Sequence, residues 1–232
     1  MSVIQKHAIV SRKEGIVMNP FIELRHSVRQ YLSKPIEAYK REVLDQLVRE
    51  LNKDSGLHMQ ICYDEPDCFH SALAHYGKFT NVNNYIAIVG PKGKDTEEKA
   101  GYYGEQLVLK AQEIGLNTCW VALTHGKTKA EIKKSERLII VIALGYGAVK
   151  GAAHRSKSIQ DISDYSPSMP QWYRSGLDAA LLAPTAVNQQ KFFFSFNNGS
   201  PSVRIKGIGA CTHIDLGIVR YHFELESGHP AA

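Results

Sequence analysis

The chain has 232 residues, 28 Lys and Arg against 23 Asp and Glu for a formal charge of +5, and 44% hydrophobic residues. These values are typical of a globular protein and exclude a disordered chain or a collagen-like repeat. No apolar run reaches the roughly 18 residues of a membrane helix, and the polar segment 1–14 predicts no secretory signal. The basic residues are scattered rather than clustered, so a nucleic-acid-binding module is a minority hypothesis.

The first 90 residues predict two helices followed by two strands. Asn19 ahead of Pro20 is typical of an N-cap and first helical position, and apolar residues at helical spacing precede Gly56, a typical helix terminator. Alternating polarity and then a continuous apolar run predict a half-buried strand and a central strand. The predicted bounds are 20–24 and 35–56 for the helices, and 57–62 and 85–89 for the strands.

The remaining residues predict alternating helices and strands, then a hairpin and a final helix. Acidic residues start a long helix that Gly115 ends, and Asn198-Gly199 favours a two-residue hairpin turn. The segment over 156–170 is polar and predicted to be irregular. The predicted elements are helices over 95–115, 129–134, 170–182 and 213–225, strands over 117–122 and 138–144, and a hairpin of 192–196 with 203–208.

This order of elements favours an α+β fold with a helix-covered sheet. The sequence shows no internal repeat and no Gly/Ser-rich linker. The apolar elements on either side of 156–168 have no separate cores, so we expect a single domain.

The four cysteines predict reduced thiols rather than disulfides or a zinc site. Cys62, Cys68, Cys119 and Cys211 form no C-x-x-C pair, and no Cys or His spacing matches that of zinc ligands. We therefore expect no bound metal and a cytoplasmic location, where thiols stay reduced.

Two short motifs place cations at alternate positions of the chain. In Arg25-His26-Ser27-Val28-Arg29, an extended backbone points residues 25, 27 and 29 to one side, and two guanidinium groups with a hydroxyl suit a phosphate monoester. Arg155-Ser156-Lys157 repeats the spacing beyond a predicted strand, where open sheets place ligands. Each motif alone is better explained as a solvated polar turn, whereas four cations from two distant segments favour a phosphate site.

A third motif, Ala183-Pro184-Thr185-Ala186-Val187-Asn188-Gln189-Gln190, connects a predicted helix to a predicted strand. Thr185, Asn188 and Gln190 offer donors and acceptors for the edge of an amide-rich heterocycle. They are equally suited to cap the free carbonyls of the preceding helix, so the residues alone leave both interpretations open.

Two glycines, Gly101 and Gly104, lie one turn apart in the long predicted helix. Each costs about 1 kcal/mol of helix stability relative to Ala. This cost indicates close approach by another backbone or by a flat ligand, and close helix packing is a sufficient explanation.

Taken together, these segments resemble the nitroreductase family, whose members bind FMN. In most of the family the Pro-Ser/Thr-x-x-Asn-x-Gln motif follows the first two helices, whereas here it lies late in the chain. The rearranged order is similar to the smaller TM-nitroreductase-like branch. The matching segments are 25–31, 104–121, Leu144-Gly145-Tyr146-Gly147 followed by Arg155 and Lys157, 183–190 and 214–218.

The resemblance implies a nitroreductase-like α+β fold, with a mixed central β-sheet flanked by helices, in a single domain over 18–227 after an N-terminal extension, 1–17. It also implies a homodimer in which 184–188 reaches the flavin from the second subunit. Lys78 corresponds to a lysine near flavin N1 and O2, and 122–124 to a backbone donor at N5. The implied cofactor-binding residues are Arg25, His26, Ser27, Arg29, Lys78, Ala122, Leu123, Arg155, Lys157, Pro184, Thr185, Ala186 and Asn188.

We therefore expect an FMN-dependent oxidoreductase that takes hydride from NADH or NADPH and reduces a nitroaromatic, quinone or similar electron-poor acceptor by a ping-pong mechanism. Because the flavin carries this chemistry, no catalytic side chain is required. The sequence indeed has no P-loop, no H-E-x-x-H, no G-x-S-x-G and no G-x-G-x-x-G after a strand. The alternatives are a flavin-binding or redox-sensing protein without meaningful turnover, and a flavin-free nucleic-acid-binding module.

Overall fold

The structure is a computed structural model and describes residues 18–153 and 155–232, so the predicted N-terminal extension over 1–17 lies outside the described residues. Short 3₁₀ turns occupy Asp67–Phe69 and Ala186–Asn188. The helices and strands are α1 Pro20–Leu24, α2 Ala38–Ser55, β1 His58–Cys62, α3 Ala72–Tyr76, β2 Asn84–Gly90, α4 Lys94–Glu113, β3 Asn117–Val121, β4 Arg137–Gly145, α5 Ile159–Ile162, α6 Gln171–Leu181, β5 Phe192–Asn197, β6 Ser200–Ile205 and α7 Thr212–Ser227.

Local sequence signals set several element ends where they were predicted. The side chain of Asn19 accepts a hydrogen bond from the backbone N–H of Phe21 at 3.0 Å and caps α1. Gly56 ends α2 in the left-handed conformation, with φ 72°. Asn198 and Gly199 have φ 51° and 82°, as a two-residue hairpin turn between β5 and β6 requires.

A four-stranded antiparallel sheet of order β1-β2-β4-β3 forms the centre of the fold. Strand β2 is buried along its whole length, as expected of a central strand. The expected mixed sheet is therefore antiparallel among these strands. Parallel pairing occurs as isolated bridges, Ser27 with Thr118 and Gln30 with Thr80, because the segment before α2 runs along the sheet without forming a full strand.

The hairpin β5–β6 is a separate two-stranded sheet, and α5 and α7 pack on it. One hydrophobic cluster nevertheless includes Leu107 and Ile142 from the first part of the chain and Phe194 and Phe223 from the second. The chain therefore folds as one α+β domain. Every helix among the described residues is too short or too polar to cross a lipid bilayer.

Helices α4 and α7 approach each other at two glycines. A Cβ atom on Gly101 would collide with the carbonyl oxygen of Ile214, and a Cβ atom on Gly217 would collide with that of Glu98. Gly104 instead packs against the ring of Trp120. Close helix packing thus explains Gly101, and side-chain packing explains Gly104.

The predicted helix over 129–134 is wrong. The side chain of Gln60 accepts a hydrogen bond from the backbone N–H of Glu131 at 2.8 Å and donates one to its carbonyl at 2.9 Å. The backbone N–H of Lys129 donates to the hydroxyl of Tyr85 at 2.9 Å. These side chains hold the segment along the sheet and use backbone groups that a helix would need. The segment expected to be irregular, 156–170, contains the single turn α5.

We predict that Gly101→Ala lowers the free energy of unfolding by about 2–3 kcal/mol, because a backbone carbonyl leaves no room for the methyl group. This loss exceeds the roughly 1 kcal/mol that Ala gains over Gly in a helix. Urea denaturation measures it. The control is Gly93→Ala, where the nearest atom to the new methyl lies at 3.6 Å; equal losses in both variants would contradict the prediction.

Candidate functional site

The motif Arg25–Arg29 is held extended between two segments of the sheet. The backbone N–H of Val28 donates to the carbonyl of Thr118 at 3.0 Å, at the start of β3. The backbone N–H of Thr80 donates to the carbonyl of Arg29, also at 3.0 Å. The motif therefore has the extended conformation that its alternating pattern requires.

Three side chains of this motif converge on the thiol of Cys119, a buried residue of β3. Burial raises the pKa of Cys119, and the charge of Arg29, a hydrogen bond with Ser27 and the charge of Arg25 oppose that rise. Arg25 is buried while Arg29 is exposed at the rim. The structure thus brings residues 25, 27 and 29 together, while their contact with a cofactor stays a prediction.

A buried cluster of charged side chains lies behind Arg25. Glu105 and His222 are 0% exposed and Arg25 is 4% exposed. One carboxylate oxygen of Glu105 lies 2.9 Å from Nε2 of His222 and 3.8 Å from Nε of Arg25. The other accepts a hydrogen bond from the indole of Trp120 at 2.9 Å, and Nδ1 of His222 lies 3.1 Å from the carbonyl oxygen of Ala179. The cluster joins the motif to α4, β3, α7 and α6.

One carboxylate oxygen of Glu105 serves two partners, because it lies close to both Nε2 of His222 and Nε of Arg25. It therefore compensates the charge of Arg25 only in part. Burial lowers the pKa of Arg25 against the opposing charge of Glu105, and its Nε has no hydrogen-bond partner among the described residues. A buried charge that is only partly paired is costly, so this site favours an anion.

The second cationic motif is attached to the loop over 184–190. The side-chain amides of Asn188 and Gln190 both donate to the carbonyl of Arg155, at 2.9 and 2.8 Å. The ammonium of Lys157 donates to the carbonyls of Gln189 and Gln190, at 3.0 and 2.9 Å. Lys157 therefore holds the loop with two of its three donors, whereas the side chain of Arg155 is exposed.

The loop over 184–190 has a strained backbone. Val187, Asn188 and Gln190 have φ of 47°, 56° and 45°, a left-handed region that is unfavourable for a β-branched residue such as Val187. The hydroxyl of Thr185 accepts a hydrogen bond from the backbone N–H of Gln190 at 3.0 Å and closes the loop. The side chain of Val187 is 97% exposed at its tip. Strain of this kind concentrates at functional sites.

Asp215 of α7 anchors the same loop through its carboxylate. Its carboxylate accepts hydrogen bonds from the backbone N–H of Ala186 at 2.9 Å and from the amide of Gln189 at 2.7 Å. Burial raises the pKa of Asp215 to about 6, although these two hydrogen bonds oppose the rise. Gln189, the variable position between Asn188 and the motif glutamine Gln190, thus has a structural partner that the spacing did not reveal.

The chain between the two cationic motifs passes directly over the first one. A Cβ atom on Gly151 would lie 2.5 Å from Cβ of His26 and 3.0 Å from the carbonyl oxygen of Ser27. Only three residues separate Gly151 from Arg155, which limits that span to about 14 Å. The predicted site residues His26, Ser27 and Arg155 therefore belong to one region of the surface.

Lys78 and the segment over 122–124 also come together. A Cβ atom on Gly77 would lie 2.7 Å from the side chain of Thr124. Lys78 is exposed with φ 62°, and Leu123 is 79% exposed. Lys78 is two residues from Thr80, whose backbone N–H donates to the carbonyl of Arg29. These loops therefore lie next to the exposed end of the motif Arg25–Arg29.

The exposed cations of this region have no carboxylate partner among the described residues. No ion pair joins Arg29, Lys78 or Arg155 to an acidic side chain within residues 18–153 and 155–232. A cavity of about 610 Å³ lies elsewhere, between α4 and α7, beside Tyr102 and Glu224. That cavity is lined by none of the predicted site residues.

Three residues of the region were not assigned a role from sequence. Glu105 lies four residues after Gly101 and three before Val108, on the buried face of α4, and His222 lies between Ile218 and Leu225 in the same way on α7. A charged or titratable residue on an apolar helix face was the available signal for both. Asp215 lies in the matched segment 214–218, but its two partners are 26 and 29 positions away in sequence.

The sequence profile of the family described as "Putative TM nitroreductase" matches residues 18–227. The chain belongs to this family. No curated protein sequence matches it.

Solved structures show the same fold. The structure of a "putative nitroreductase" from Thermotoga maritima is 20% identical, covers 94% of this chain and 87% of its own, and superposes with a TM-score of 0.67. A nitroreductase of the same description from Desulfovibrio desulfuricans, solved in complex with FMN, is 15% identical, covers 66% of this chain and 100% of its own, and has a TM-score of 0.50. At these identities the similarity establishes the fold.

We predict that Asp215 makes the free energy of unfolding fall as pH rises from about 4 to about 6. The folded state, with its raised pKa, retains a proton that the unfolded chain has already lost. Relative to Asp215→Asn, the wild type should lose up to about 3 kcal/mol over this range, since each tenfold change in proton affinity is worth about 1.4 kcal/mol. Urea denaturation from pH 4 to pH 7 measures the difference, and a pH-independent difference would refute the assignment.

Proposed function

We propose that the chain is an FMN-dependent oxidoreductase that uses NADH or NADPH to reduce nitroaromatic, quinone or similar electron-poor acceptors. The observation that carries this proposal is the buried guanidinium of Arg25, whose Nε has no hydrogen-bond partner among the described residues and whose carboxylate neighbour, Glu105 at 3.8 Å, is shared with His222. A dianionic phosphate ester is a suitable counter-ion, because charge-assisted hydrogen bonds to a guanidinium are strong and directional.

The residues present fit the phosphate end of FMN. Arg25 supplies a buried cation, Ser27 a hydroxyl, and Arg29 and Arg155 exposed cations without carboxylate partners. Glu105 and His222 fix the position of Arg25 from behind, so its guanidinium needs little reorganisation when the anion binds. His26 contributes the surface over which Gly151 packs.

The ring end of FMN would lie toward Lys78 and the segment over 122–124. Lys78 supplies positive charge that stabilises an electron-rich ring, and Ala122 and Leu123 supply exposed backbone beyond β3. Pro184, Thr185, Ala186 and Asn188 supply the strained loop on the other side. When bound, FMN supplies the hydride chemistry, and the chain supplies binding, orientation and charge.

Family membership supports this proposal, and so does the FMN complex of the similarly folded Desulfovibrio desulfuricans protein. The homodimer and the use of NADH or NADPH stay predictions.

The test is the visible spectrum of the purified full-length chain after FMN is added and unbound FMN is removed, followed by rapid mixing with NADPH and with NADH. We expect retained FMN whose absorbance bleaches rapidly with at least one nucleotide. Absorbance that does not bleach would favour the flavin-binding protein without turnover. Failure to retain FMN would reject both.

We predict that Arg29→Ala weakens FMN binding by about tenfold or more, because a hydrogen bond to a charged group is worth about 1.5–3 kcal/mol. Fluorescence titration of FMN measures the dissociation constant. Arg49→Ala is the matched control, since it removes the same charge from an exposed position on α2. Equal affinities in the two variants would mean that the phosphate lies elsewhere.

A further inference from the structure

The chain contains the same arrangement of elements twice. In the first part, α2 is followed by the antiparallel strands β1 and β2 and then by the long helix α4. In the second part, α6 is followed by the antiparallel strands β5 and β6 and then by the long helix α7. Each part therefore contains a helix, two antiparallel strands and a second helix, although no repeat is visible in the sequence. The first part has the additional helix α3 between its two strands, and β3 and β4 have no counterpart in the second part.

The contact between the two long helices is reciprocal. Gly101 of α4 lies against the carbonyl of Ile214, three residues before Gly217 of α7. Gly217 lies against the carbonyl of Glu98, three residues before Gly101. A contact in which equivalent residues exchange places is the signature of a two-fold axis.

The register of the preceding strands agrees with this axis. Strand β2 begins at Asn84, 17 positions before Gly101. Strand β6 begins at Ser200, also 17 positions before its glycine, Gly217. The two parts, called halves below, are therefore packed as the two subunits of a symmetric dimer would be.

The two halves differ at the candidate site. Only Gly56 and Leu57 connect α2 to β1, whereas residues 182–191 connect α6 to β5 and include the strained loop. The first half carries the motif Arg25–Arg29, and the second half carries the loop over 184–190. Each half thus provides one part of the site.

The motif Arg25–Arg29 and the loop over 184–190 lie together within one chain. The loop is bound to Arg155 and Lys157, whose segment leads back over His26 at Gly151. From the interior, Arg25 is linked through Glu105 and His222 to Ala179 of α6, two residues before the loop's helix ends. The strained backbone presents Val187 to solvent beside this region.

We propose that each chain completes its own flavin site, with the motif Arg25–Arg29 and the loop over 184–190 acting on the same FMN in cis. The role that the family resemblance gives to a second subunit is taken by the second half of the same chain. This inference rests on the proposed function, and it gives one FMN per chain without a requirement for a dimer.

The test combines two variants with single exposed substitutions, Arg29→Glu in the first half and Val187→Glu in the second. Each variant alone is expected to lose most FMN binding, and we expect an equimolar mixture, unfolded and refolded together, to show no recovery. Sites built across two chains would instead recover in mixed dimers, to about one quarter of all sites. Such recovery would overturn the proposal.

Stoichiometry provides an independent readout on the wild-type chain. We expect one FMN per 25.9 kDa chain, retained on dilution whatever the oligomeric state measured by light scattering. Loss of FMN in step with dissociation of a dimer would overturn the inference that each chain completes its own site, but not the proposed function. Unchanged FMN binding by Val187→Glu would do the same. A wild-type chain that binds no FMN would instead reject the proposed function itself.

Discussion

The arrangement of the candidate site depends on the buried contact between Glu105 and His222 behind Arg25. A guanidinium removed from water needs fixed partners, and here one carboxylate serves Arg25, His222 and Trp120 at the same time. Because the carboxylate is shared in this way, the cluster orients Arg25 and compensates its charge only in part. The protein interior thereby favours anion binding at a defined point on the sheet, and the exposed cations around it extend this favourable region to the surface.

The loop over 184–190 shows a different use of buried polarity. Asp215, Lys157 and the hydroxyl of Thr185 hold a backbone that contains a left-handed Val187. Such a conformation persists only when several contacts determine it together. The loop is therefore rigid before any ligand binds, which lowers the entropy lost on binding. If both halves of the chain act on one cofactor, the packing of α4 on α7 also sets the distance between the loop and the cationic motif.

Local signals predicted much of the secondary structure. Asn19 capped α1, Gly56 ended α2 and Asn198-Gly199 formed the hairpin turn, because caps and turns depend on residues within a few positions of each other. The expected helix over 129–134 failed because Gln60, 71 positions away, satisfies the backbone of Glu131. Helix propensity in an exposed segment is worth little against hydrogen bonds of that kind. The sequence did not reveal the internal symmetry for a related reason, because this symmetry lies in backbone packing rather than in residue identity.

The sequence by itself determined the alternation that points residues 25, 27 and 29 to one side, because the side-chain period of an extended chain is two. It also determined that a long helix begins at acidic residues and ends close to Gly115, because the signals that start and end a helix are local. Only the tertiary structure decided that Arg25 is buried while Arg29 is exposed, and that Glu105 meets His222 across 117 positions. Only it decided that Lys157 binds the loop carbonyls. Those outcomes depend on which segments pack together, and no local pattern encodes the partner of a side chain that is distant in sequence.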